Sequence, residues 1–169
     1  ILGYSKLVKK RIIDVLIKKK IFFSVASKSS KNNLKQAYSW YRNYDDALKN
    51  SRADLVYISL PNSLHYKWSR KALIKNYHVV VDKPLCENLS KTKKLLFLAK
   101  KKKRLLSEAT FFNYHRQFNQ ALKLIGGTNK LIHVEANFKI PTPPKQNILM
   151  SKKLLGGVLM DMGPYAAAI

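Results

Sequence analysis

The chain's 169 residues, 46 % of them hydrophobic, suffice for one domain with a substantial core, and the single cysteine, Cys86, excludes an internal disulfide or a cysteine-built metal site, which suits a reducing compartment. The net charge of +24 raises the class of polyanion binders, but the cations are overwhelmingly lysine, with arginine only at positions 11, 42, 52, 70, 104 and 116, whereas specific phosphate and base recognition favours the forked guanidinium. No run approaches the roughly 18 apolar residues of a membrane span and no signal peptide is visible, so the expectation is a cytoplasmic protein with neither a nucleic-acid nor a membrane partner.

Ile1-Leu2 reads as the end of a first strand, and Gly3-Tyr4-Ser5-Lys6-Leu7-Val8 as the turn into a helix that carries Leu7, Val8, Ile12, Val15 and Leu16 inward. A dinucleotide fold places its glycine-rich turn here, because the pyrophosphate sits on exposed helix N-terminal amides. Only the first glycine of such a turn is present; the second position is the small Ser5 and the third is Val8. Gly3, Ser5 and Leu7 are thus candidate cofactor contacts. Ile21 to Ala26 is the second strand. An acid at its end would bond ribose hydroxyls and repel a 2′-phosphate, but Ser27-Lys28-Ser29-Ser30-Lys31 offers hydroxyls and ammonium groups instead. Ser27 and Lys28 therefore favour NADP, with NAD the alternative.

A short helix is expected over 32–40 and another opened by Asp45-Asp46. The central unit follows. Asp54 to Leu60 is a nearly continuous apolar run, too short for a helix, stopped by Pro61-Asn62-Ser63; Leu64, Trp68, Ala72 and Leu73 then recur at helical spacing; Tyr77 to Val81 is a second strand. Strand, helix and strand make a parallel pair joined by a right-handed crossover, so both strands end on one edge, where open α/β sheets bind ligands. The residues at those ends are Pro61-Asn62 and Asp82-Lys83-Pro84. Lys83, beside a carboxylate at the lip of an apolar sheet, can donate or accept a proton. An amphipathic helix is expected over 87–103, with Ser90 as its cap, then a strand over 104–109 ending in Glu108-Ala109 on the same edge. The lysine runs at 18–20 and 100–103 fall at expected helix C-termini, where positive charge suits the dipole. Past the aromatic stretch 111–114 comes a helix over 115–125 stopped by Gly126-Gly127, and then a period-2 pattern over 131–139 that predicts a strand with one wet face, the opening of an antiparallel sheet. Gly156-Gly157 and Gly163 bracket Asp161 and Tyr165, which share a face at helical spacing.

Four separated motifs, Leu60-Pro61-Asn62-Ser63-Leu64-His65, Asp82-Lys83-Pro84-Leu85, Glu108-Ala109 and 156–165, stand in an order and spacing that resembles the Gfo/Idh/MocA family of NAD(P)-dependent oxidoreductases. The resemblance implies a Rossmann-type doubly wound parallel sheet over 1–112, followed over 113–169 by the start of an α+β domain, an antiparallel sheet that faces substrate and through which the protein forms homo-oligomers. The family's members run to roughly twice this length, so the chain reads as a fragment that alone lacks turnover. Lys83 and Tyr165 are implied to be the proton-handling pair and Asp161 to orient the site. Leu60, Pro61, Asn62, His65, Asp82, Lys83 and Glu108 are implied to contact the cofactor, and no metal is expected. Asp82 stands where the family has glutamate, and Asn113 where it often has arginine. The implied activity is hydride transfer between NADP and a secondary alcohol or carbonyl of a sugar or related polyol. The alternative is a relative that binds the dinucleotide without turnover, as a sensor or scaffold.

Overall fold

The computed structural model of the chain describes residues 1–28, 34 and 37–167. Among the described residues five short strands, β1 (Ser24–Ala26), β2 (Ser39–Tyr41), β3 (Leu55–Ile58), β4 (His78–Asp82) and β5 (Leu106–Ala109), pair in parallel, β1 with β2, and β4 with both β3 and β5. Leu2 closes the gap between the two groups by bridging Ala26 on one side and Ile58 on the other. The sheet therefore reads β2, β1, Leu2, β3, β4, β5. The chain winds outward from Leu2 in both directions, and the residue after it, Gly3, sits at the point where the winding reverses. That is the crevice in which doubly wound sheets place ligands.

Period-2 alternation sends side chains to opposite faces of the sheet. One face, with Leu2, Ala26, Val56, Ile58, Val79 and Val81, is covered by α2 (Tyr44–Asn50), α3 (Asn62–Ile74) and α4 (Leu89–Lys102), which contribute Leu48, Trp68, Leu73, Leu95 and Ala99 to the core. The other face, with Val25, Tyr57 and Ala109, is covered by the helix over 6–18, whose last part is α1 (Ile13–Lys18). The crossover from β3 through α3 to β4 follows the expectation closely.

The helix over 6–18 departs from the expected phase. Val8–Ile12 is π-helical, so the turn holds an extra residue, and the buried positions are Val8 and Ile13, five apart. Val15, expected inward, is 53 % exposed, and Leu7 faces out of the core.

Other boundaries shift for physical reasons. The expected helix over 32–40 is not formed at its end, because Ser39–Tyr41 pairs with Ser24–Ala26 as β2; residues 29–33, 35 and 36 lie outside the described residues, and with them Ser29, Ser30 and Lys31 of the expected phosphate-recognition loop. The cap of α4 is Asn88, not Ser90: its side chain accepts from the Lys91 amide at 3.0 Å. Likewise α2 is capped by Asn43 and carries Asp45 and Asp46 in its first turn.

After Thr110 no described residue is buried. The α5 helix (Arg116–Ile125), capped by the His115 side chain and ended by Gly126 at φ 84°, and α6 (Val158–Ala166) flank a long segment without a ladder. The strand expected over 131–139 is not formed among the described residues: alternation alone supplies no partner for its backbone groups, and Ile132 is fully exposed.

Candidate functional site

Gly3 sets the floor of the site. Its φ is 96°, and a Cβ built there would meet the Ser59 carbonyl oxygen at 2.0 Å, so only glycine lets the turn after Leu2 press against the end of β3. The turn opens into the helix over 6–18, with Ser5 accepting the Val8 amide on its hydroxyl at 3.1 Å as a cap. The cleft above the strand ends holds about 800 Å3. The turn 3–7, Ser27, Leu60-Pro61-Asn62 and Asp82-Lys83 line it from the sheet side, and Asp161, Tyr165 and residues 146–149 from the other.

At its mouth Lys83 meets α6. The Lys83 ammonium donates to both the backbone carbonyl and the carboxylate Oδ1 of Asp161, and it lies 4.8 Å from the centroid of the Tyr165 ring. Tyr165 is held in turn by Phe112 at 5.4 Å and Phe138 at 6.2 Å, centroid to centroid. An ammonium has three donors, so two on Asp161 leave one for a ligand oxygen.

The other carboxylates are committed to the scaffold. Asp82 accepts from Tyr57 OH and, at 2.6 Å, from Ser59 Oγ. Burial above all, and then the Asp82 carboxylate, push the Tyr57 phenol far above its ordinary range, so it remains a donor. Glu108 accepts from the Leu85 amide at 2.6 Å and from Thr110 Oγ1 at 2.7 Å, which ties the end of β5 to the turn after Lys83. The Lys83-Pro84 peptide is cis. Thus Glu108, expected against the cofactor, does not line the cleft; its oxygens are used on the turn.

His65 departs from expectation too. It is fully buried behind the cleft, with Nδ1 2.7 Å from the Pro84 carbonyl and Nε2 2.7 Å from the Leu60 carbonyl, a strut between the ends of β3 and β4. Lys28 does not line the cleft either; its ammonium lies 5.6 Å from the ring centroid of Tyr44, which does. Asn62 lines the cleft and donates at 2.7 Å to the Leu155 carbonyl, which pins the segment before α6 to the start of α3.

Sequence reasoning missed Tyr4, Tyr44, Phe111 and the stretch 146–149 as lining residues, since only tertiary folding brings them to the strand ends. It also missed Tyr57 and Ser59. A signal for these existed: two hydroxyls inside an otherwise apolar buried strand require partners. Among the described residues no cluster of His, Cys, Asp or Glu could hold a metal, and no helix is long and apolar enough to cross a membrane.

Residues 9–110 match an oxidoreductase family with an NAD-binding Rossmann fold, that of Gfo/Idh/MocA. The chain is similar to a dTDP-3,4-didehydro-2,6-dideoxy-alpha-D-glucose 3-reductase of Saccharopolyspora spinosa, with 36 % identity over 73 % of this chain and 38 % of the relative. It is also similar to an NADP(+) D-xylose 1-dehydrogenase of Haloferax volcanii, with 31 % identity over 76 % of this chain and 40 % of the relative. It thus spans about two fifths of the length of these curated relatives. Among solved structures, a 3-ketoreductase from Actinomadura kijaniata in complex with NADP and TDP-benzene superposes with a TM-score of 0.85 at 25 % identity, over 97 % of this chain and 53 % of the other.

Proposed function

The chain belongs to the Gfo/Idh/MocA oxidoreductase family, and on that premise we propose that it binds NADP in the cleft above its strand ends and serves an oxidoreductase that interconverts a carbonyl and a secondary alcohol of a sugar or sugar nucleotide. The observation that carries the reading is the meeting of Lys83, Asp161 and Tyr165 at the mouth of a cleft whose floor is the Gly3 turn. The keto-sugar reductase and the xylose dehydrogenase among its relatives favour a sugar substrate.

The residues present fit the cofactor. Gly3 allows the close turn, the helix N-terminus behind it suits a pyrophosphate, and at the end of β1, where a 2′-phosphate is recognised, Ser27 lines the cleft, Lys28 follows it with its ammonium over the ring of the cleft residue Tyr44, and the sequence over 27–36 holds no Asp or Glu. When bound, the nicotinamide supplies the hydride carrier. The chain's own groups handle charge and proton. Lys83, held by Asp161, presents its ammonium with one free donor where the substrate oxygen becomes negative. In the reducing direction Tyr165 gives its phenolic proton to that oxygen, and in the oxidising direction it takes the proton back. Phe112 and Phe138 fix the ring for this exchange. Residues 113–169 begin the part of the protein that faces substrate, and those of them that the structure describes are half-buried or exposed.

Titration of the protein with NADPH and NADH by nicotinamide fluorescence tests the cofactor assignment. Preference for NADPH that is lost in Lys28→Ala supports it, and equal affinities for the two cofactors overturn it.

A further inference from the structure

Two of the departures from the family pattern, Ser5 in the turn and Asp82 before the lysine, are 77 positions apart in sequence but joined in the fold. Ser5 Oγ lies 2.8 Å from Ser59 Oγ, and Ser59 Oγ lies 2.6 Å from Asp82 Oδ2. Register explains the second contact. Ile58 pairs with Val81, so the next residues, Ser59 and Asp82, are neighbours, and by alternation both share the face of Tyr57 and Val80. A glutamate at 82 has one more methylene, and its carboxylate would not stop at the same hydroxyls.

The direction of the hydrogen bonds follows from proton counting. An ionised carboxylate only accepts, so Asp82 accepts a hydrogen bond from the Tyr57 hydroxyl on one oxygen and from the Ser59 hydroxyl on the other. Ser59 has a single hydroxyl proton and commits it to the hydrogen bond it donates to Asp82. In its contact with Ser5 it must therefore accept, and Ser5 must donate. Ser5 then keeps a lone pair for the Val8 amide, as observed at 3.1 Å. The order is Val8 N–H to Ser5 to Ser59 to Asp82, with Tyr57 closing the far side. Every hydroxyl has one donation and one direction, and the chain runs from the first turn of the helix over 6–18 to the residue bonded to Lys83.

We propose that Ser5, Ser59 and Asp82 act as one positioning unit that couples the phosphate-binding turn to Lys83, and that the departures at Ser5 and Asp82 compensate each other. The proposal rests on the reading of the cleft as a dinucleotide site. Because the proton of Ser5 is committed inward, the turn offers an anion its backbone amides rather than the serine hydroxyl. A ligand that orders the turn orders Ser5, hence Ser59 and Asp82, hence the backbone from which the Lys83 ammonium reaches Asp161. Asp82 is a positioning residue, since both of its carboxylate oxygens accept from the hydroxyls of Tyr57 and Ser59.

The test is a double-mutant cycle of Ser5→Ala and Asp82→Asn in the complete protein, read by NADPH affinity, by kcat and, without cofactor, by thermal unfolding. Each single variant is expected to weaken NADPH binding by about fivefold, and Asp82→Asn to lower kcat by about tenfold, with the double variant little worse than the worse single one. Ser59→Ala, which cuts the middle, should match the double variant. Additive effects, about 25-fold on NADPH affinity in the double variant, overturn the unit, as does Asp82→Asn with wild-type kcat. The unfolding cycle separates the two readings. Non-additive shifts in a wild type that binds no NADPH keep the Ser5–Asp82 unit and refute the dinucleotide site, whereas additive shifts in a wild type that binds NADPH refute the unit alone.

Discussion

The Lys83 ammonium is held between the carbonyl and carboxylate of Asp161 while its charge lies 4.8 Å from the centroid of the Tyr165 ring. Two donors are thus spent on α6, 78 residues away in sequence, and the lysine links the sheet to the helix that carries the tyrosine. Removing Asp161 should leave that charge without its partner. We expect Asp161→Asn to lower kcat by about tenfold to a hundredfold with a smaller change in NADPH affinity, measured by steady-state rates and fluorescence titration.

Gly3 is predicted to be the least replaceable residue of the turn. Its φ of 96° and the 2.0 Å approach of an added Cβ to the Ser59 carbonyl oxygen mean that Gly3→Ala must move backbone. The expected cost is at least about 2 kcal/mol in chemical denaturation, with loss of cofactor binding. Unchanged stability in Gly3→Ala would show that the turn does not pack as described.

Cys86 is buried, and burial pushes its thiol up to about 11, with the Thr92 hydrogen bond opposing. Burial disfavours the thiolate, so at pH 8 its fraction should be about a hundredfold below that of an ordinary thiol. Alkylation by iodoacetamide should be correspondingly slow and rise with an inflection near pH 11. Because the folded value lies above the unfolded one, this group's contribution to stability is full below about pH 9 and is lost as pH rises through about 11. Rapid alkylation of the folded protein at pH 8 would contradict the packing.

Asn62 should act as a latch. Its 2.7 Å bond to the Leu155 carbonyl holds the segment that supplies residues 146–149 to the cleft. Asn62→Ala removes one hydrogen bond of about 1 kcal/mol and should speed proteolysis between residues 146 and 157, with NADPH binding weakened by a few fold. An unchanged cleavage pattern would remove Asn62 from that role.

Much of this is legible in the sequence where local pattern and tertiary outcome agree. The apolar run 54–60, too short for a helix, the helical spacing of Leu64, Trp68, Ala72 and Leu73, and the strand run 77–81 each point to one element, and β3, α3 and β4 follow them. The end of the 32–40 stretch misleads because three residues of β2 carry too little pattern to oppose a helical reading. The π-helical turn at Val8–Ile12 has no compositional mark; it shows only in which residues are buried. In the site, motif spacing points to Lys83, Asp161 and Tyr165, which the fold brings together. It does not assign His65 and Glu108 to the scaffold, because a motif carries identity and not the direction in which a side chain turns. The segment 131–139 alternates as a strand does, yet alternation describes a surface, and pairing needs a partner.

The most direct test of the account is turnover and cofactor affinity of Lys83→Met beside the wild type in the complete protein. Lys83 follows β4 and meets Asp161 and Tyr165, so on the proposed reading its charge acts on the reacting oxygen rather than on the cofactor phosphates. That interaction strengthens as the oxygen becomes negative. The predicted result is a fall in turnover of about two to four orders of magnitude with NADPH affinity almost unchanged. Wild-type turnover in Lys83→Met would contradict the account, leaving Lys83 as the residue that joins the sheet to α6 and nothing more.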